Sequence, residues 1–79
     1  MISKKDPEGE LLFAMVMKLA GGEQVYSEHT KAAIWAECSR NTELRNQATM
    51  YLYGSSGRAD LNLYRIHTML VEKFFSEVA

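Results

Sequence analysis

The chain lacks most of what small proteins use to hold themselves together covalently. It has one cysteine, Cys38, in 79 residues, so no intrachain disulfide can form. With only two histidines, His29 and His67, it cannot assemble a Cys/His zinc set either. Charge of one sign is also missing: nine basic and ten acidic residues leave a net −1, and they are interspersed. Without a basic stripe there is no large electrostatic footprint for nucleic acid, whose nonspecific affinity comes from Lys and Arg neutralising phosphates. No apolar run is long enough to span a bilayer, and Pro7, Glu8 and Glu10 stand where a signal peptide would be cationic, so a cytoplasmic location away from membranes is expected. Aspartate is scarce. Asp6 and Asp60 are the only two and both sit at cap-like positions, so a carboxylate pair for acid–base work would have to come from scattered glutamates. Catalysis is not expected and no cofactor is implied. Alternating apolar–polar runs, repeats and low-complexity segments are absent as well.

What remains is helical pattern and punctuation. Asp6 can cap a helix, Pro7 suits its first position, Glu8 and Glu10 favour the positive end of its dipole, and Gly21-Gly22 stops it, which places the first helix at 7–20. Ser27 offers a second cap, for a helix over 28–38. The polar block Ser39-Arg40-Asn41-Thr42 is read as a break, with a third helix over 42–53. Gly54-Ser55-Ser56-Gly57 reads as a tight loop. A final helix at 58–78 carries Ile66, Leu70, Phe74 and Val78 at i+4 spacings, flanked by Leu63, Tyr64, Val71 and Phe75, with Asn62 and Arg65 on the polar side. The expectation is an all-α bundle of three to four helices, one domain over 1–79 with 1–5 a flexible N-terminus.

Residues 11–20, LLFAMVMKLA, are apolar at nine of ten positions. A domain this small buries only about 60–65% of its unfolded surface, so three neighbouring helices would leave one side of such a helix open. Each large apolar side chain left in water forgoes roughly 1.5–3 kcal/mol. This predicts self-association, with a dimer favoured, through Leu12, Phe13, Met15, Val16 and Leu19, helped by Phe74 and Phe75 of the last helix. Tyr26, Trp35, Tyr51, Tyr53 and Tyr64 add rings of the kind that favour interfaces; Tyr51 and Tyr53 point apart on one helix, so at least one faces outward.

Isolated reactive groups point to structural roles. His67 is expected on or beside the apolar face as a hydrogen-bonded boundary residue, and Cys38, next to Ala-Ala-Ile-Trp-Ala, as a buried inert thiol. Two further patterns have a specific chemical meaning. The second and third helices resemble a helix-turn-helix in outline, which would put Arg40, Asn41, Arg45 and Asn46 near DNA in a dimer, but no register supplies both a small residue in the first helix and an inward apolar residue in the second. The Gly54–Arg58 loop feeds a helix start, so Ser55, Ser56, Gly57 and Arg58 could hold a small anion or a nucleotide phosphate. The favoured reading is a non-enzymatic interaction module, a small regulator, adaptor or inhibitor that self-associates and binds another protein. Chains of this length are common among the small proteins of phages and other mobile elements.

Overall fold

Capping chemistry sets where the helices begin and end. The computed structural model describes residues 6–54 and 59–75. In chain order these form α1 (Pro7–Ala20), a 3₁₀ turn (Glu23–Val25), α2 (Glu28–Arg40), α3 (Thr42–Tyr53) and α4 (Ala59–Leu70), the last ending in a π turn (Val71–Phe75). No strand occurs among the described residues. The expected ends of the last helix at Arg58 and Val78, and the N-terminus over 1–5, lie outside the described residues.

Asp6 caps α1 by accepting a bond from the Gly9 amide at 3.3 Å, and Pro7 occupies the first turn. At the other end Gly21 adopts φ 104°, and the amides of Gly22 and Gly21 donate to the carbonyls of Met17 and Lys18 at 2.8 and 3.2 Å. That is the Schellman pattern, and it requires the left-handed backbone that glycine adopts without a Cβ clash. Ser27 caps α2 by accepting from the Thr30 amide at 3.1 Å. The break between α2 and α3 is one residue wide: the Asn41 amide donates to Glu37 O at 3.0 Å, closing α2, while its side-chain oxygen accepts from the Leu44 amide at 3.0 Å, opening α3. Helix α2 runs to Arg40, two residues past its expected end, because the cap lies at Asn41 and not in the polar block ahead of it.

Each helix supplies an i, i+4 pair to one core: Leu12 and Val16, Ile34 and Cys38, Leu44 and Ala48, Ile66 and Leu70, with Met17 beside the first pair. Pairs at this spacing lie one above the other on a helix face, so four of them meet without a gap in the row. Helix α1 is the central element, packed on α2 and α3 and touching α4. The Phe13 ring meets Trp35 of α2 edge-on, with centroids 5.5 Å apart and planes at 70°. The molecule is 20 Å thick in its shortest dimension, room for two layers of helices.

Within the single chain, α1 is covered more fully than its run of apolar residues suggests. Leu12 and Val16 are 0% exposed. Phe13 and Met15 are half-buried against the core, and Leu19 alone among the five expected seam residues is exposed, at 36%. The outward stripe of α1 is Pro7, Glu10, Ala14 and Lys18. Two of these are charged and Ala14 is the smallest of the apolar set, so the helix is amphipathic after all. Helix α4 keeps the expected row through Ile66 and Leu70 but differs on its flank. Its inward row is Asn62, Ile66 and Leu70, which buries Asn62 and leaves Tyr64 67% exposed. His67, expected beside the apolar face, is exposed for the same reason.

Candidate interaction surface

Two ion-pair clusters tie the helices together from outside the core. In the first, Arg45 of α3 reaches Asp6 at 3.0 Å and Glu8 at 3.8 Å, and the Thr49 hydroxyl donates to Glu8 at 3.4 Å. The Arg45 guanidinium holds the Asp6 carboxyl below its usual range against the opposing effect of burial, and Asp6 in turn raises Arg45. In the second, Glu37 of α2 takes Lys73 from the π turn at 2.9 Å, Arg40 at 2.7 Å and the Asn41 amide group at 3.4 Å. The Lys73 ammonium, ahead of Asn41 and Arg40, lowers the Glu37 carboxyl, again against burial.

These clusters engage the residues that a helix-turn-helix would present to DNA. Arg45 faces two carboxylates and Arg40 one, Asn41 is committed to capping, and only Asn46 is exposed without such a role among the described contacts. A guanidinium already matched to a carboxylate has less to gain from a phosphate, because the existing pair must first be broken. The residues considered for anion contact, Ser55, Ser56, Gly57 and Arg58, lie outside the described residues.

Reactive chemistry is muted elsewhere. Cys38 is 0% exposed and its thiol is pushed up to about 12, chiefly by burial and then by the neighbouring Glu37 charge, so it stays protonated at neutral pH. Among the described residues no group of three or more His, Cys, Asp or Glu is placed to hold a metal ion, and no helix is long and apolar enough to cross a membrane. Two open depressions of about 340 and 380 Å³ share Lys73. One lies between the start of α3 and the end of α4 (Asn41, Glu43, Leu44, Met69, Glu72), so α3 and α4 run antiparallel.

Among the described residues, that antiparallel hairpin gathers five of the seven exposed large apolar side chains at one end, the other two being Leu19 of α1 and Val25 of the 3₁₀ turn. Met50 (48%), Leu52 (38%) and Tyr53 (61%) occupy the last turn of α3, and Leu61 (40%) and Tyr64 (67%) the first turns of α4. The sequence pattern places Leu52 in the core alongside Leu44, Ala48 and Tyr51; of these, Leu44 and Ala48 are buried and Tyr51 is half-buried, while Leu52, which continues the i, i+4 row in the last turn of α3, is 38% exposed. Phe74 and Phe75, expected at a seam, are half-buried against the core. Sequence reasoning misses Met50, Leu52, Tyr53, Leu61 and Tyr64 as a group. The available signal is that Met50, Tyr53, Leu61 and Tyr64 fall off the inward row of their own helix once that row is fixed by Leu44–Ala48 and Ile66–Leu70, whereas Leu52 continues its row and gives no such signal.

No protein-family model matches the chain, and comparison with curated proteins and with solved structures finds no similar chain.

Proposed function

We propose that this protein is a non-enzymatic interaction module, a small regulator, adaptor or inhibitor, that works by protein–protein contact through the closed end of the α3–α4 hairpin. The observation that supports this reading is the concentration there of five large apolar side chains, each at least 38% exposed. Single exposed apolar residues are ordinary on protein surfaces, but five at one end of one hairpin make a patch of the kind that marks contact sites. Two are tyrosines, whose rings bring large contact area with few rotatable bonds. The surface differs from the one expected on α1, most of whose apolar side chains its own chain covers.

The test is site-specific photocrosslinking in the cells that make the protein. A photoreactive side chain at Tyr53 or Tyr64 is expected to yield discrete protein adducts that Met50→Glu abolishes, while the same group at exposed Ala32 of α2 yields none. Adducts of equal yield at all three positions, or at none, would remove the reading.

A further inference from the structure

The row of α4 that faces the core is Asn62, Ile66 and Leu70. On the side turned away from it, Leu61, Tyr64 and Thr68 of α4, then Val71 at the first residue of the π turn, succeed one another at spacings of three, four and three. That is the a-d-a-d order of a heptad, the pattern a helix uses to meet a second helix. Leu61 and Tyr64 are exposed at 40% and 67%, and Thr68 and Val71 are half-buried. In this frame Asp60 and His67 occupy g positions, Arg65 and Glu72 occupy e positions, and all four are exposed. Helix α4 therefore has two faces, one spent on its own bundle and one with the composition of a seam.

We infer that the α4 helix docks on α4 of a second copy of this chain, in parallel about a two-fold axis, with Leu61 and Tyr64 at the centre and Asp60 facing Arg65 of the partner subunit. This rests on the proposed interaction reading and names its partner. Charge complementarity carries it: in parallel pairing each g position meets the e position five residues further along the other helix, so Asp60 meets the guanidinium of Arg65 of the partner subunit. Two-fold symmetry makes this pair twice. Among the described residues neither Asp60 nor Arg65 is in an ion pair within its own chain. The parallel orientation comes from where the apolar surface lies. Met50, Leu52 and Tyr53 of α3 are at the same end as Leu61 and Tyr64, and only a parallel pairing brings that end onto its own copy. An antiparallel pairing would lay it over the half-buried Thr68 and the charged Glu72.

Sedimentation velocity on the full chain tests the inference by charge exchange. The wild type is expected to dimerise as concentration rises. Asp60→Arg sets arginine against Arg65 of the partner subunit in both pairs, and Arg65→Asp sets aspartate against aspartate. Each should weaken the dimer by about tenfold or more. An equimolar mixture of the two variants places opposite charges in both pairs of the mixed dimer, so association should return to near the wild-type level. Tyr64→Glu, at an exposed position past the first turn of the helix, should abolish association with the helical circular dichroism unchanged. A wild type that stays monomeric throughout overturns the inference, and adducts to a different protein at Tyr53 would then leave the interaction reading standing. A wild-type dimer whose charge variants do not recover on mixing also overturns it, since an antiparallel pairing would set Asp60→Arg against His67 of the partner subunit in either case.

Discussion

Asn41 serves two helices at once. Its amide completes the last turn of α2 and its side chain satisfies the free amide of Leu44 in the first turn of α3. Loss of a capping side chain of this type costs about 1 kcal/mol, with a range of roughly 0.5–2 kcal/mol. Asn41→Ala also removes the 3.4 Å contact to Glu37, so the upper half of that range is expected in urea unfolding, with an unchanged m-value. A loss below a few tenths of a kcal/mol would mean that the corner does not depend on this side chain. The cap is legible in the sequence as part of a polar block, Ser39-Arg40-Asn41-Thr42, but which member serves is not. Propensity marks all four as poor in a helix interior or suited to a boundary, and only the position of Leu44 and Ala48 on the core decides where the turn must fall. Asp6, Pro7 and Ser27 are legible without ambiguity, because each is bounded by residues that cannot take its place.

Between helices, the two ion-pair clusters make stability depend on acid. Glu37 links α2 to the π turn at the end of α4, and Asp6 links the start of α1 to α3. Both carboxyls sit below their ordinary values of 4.5 and 3.8 in the folded protein. A carboxyl depressed by folding contributes stability that is fully present above its unfolded value and is lost as pH falls through the folded value. Unfolding free energy is therefore expected to be flat from pH 7 to about 5 with respect to these groups and to decline as pH falls below 4.5 and then 3.8, where the unfolded chain takes up protons on Glu37 and Asp6 before the folded one does. In Glu37→Gln the decline should be shallower and start lower, as followed by thermal melts across that range. The pairs themselves are invisible in the sequence. Asp6 and Arg45 are 39 residues apart, and nothing in local pattern says that α1 and α3 bring them together. The row of α4 through Ile66 and Leu70 is the expected one, but its flank is not, for a related reason: Leu63 and Tyr64 are apolar enough to suggest an inward role, yet the row extends back to Asn62 and Tyr64 is exposed.

For the whole molecule, the run of nine apolar residues in ten is largely covered by the geometry of the chain itself. Counting hydrophobic residues along α1 overstates its exposed surface, because the direction each side chain takes around the axis matters more than the total, and Ala14 lies on the outward stripe between Glu10 and Lys18. Two substitutions separate the interior from the surface. Leu12→Ala, at a position with 0% exposure, should cost about 2–5 kcal/mol through lost burial and the cavity left behind. Against a total of about 5–15 kcal/mol for an ordinary domain, and less for one this small, that loss leaves a large unfolded fraction at 37 °C. Leu19→Ala, at 36% exposure, should change the midpoint of urea unfolding little. Similar losses from both would mean that Leu19 is also sealed, in the protein alone or in an assembly. The all-α class and the helix boundaries are readable from caps and periodicity; the surface that faces outward is not, since it is defined by what the core leaves over.

The single-residue corner at Asn41 also limits how this chain can vary. A loop of several residues can gain or lose one and let its neighbours stay in place. Here there is no such reserve. An insertion beside Asn41 has to be absorbed by α2 or α3, turning every later residue of that helix by about 100° and swinging Leu44 and Ala48 away from the interior, or else it leaves one helix end without its partner. Length changes should therefore be tolerated between Gly21 and Ser27 long before they are tolerated at this elbow, which sets the relative orientation of the two halves of the bundle.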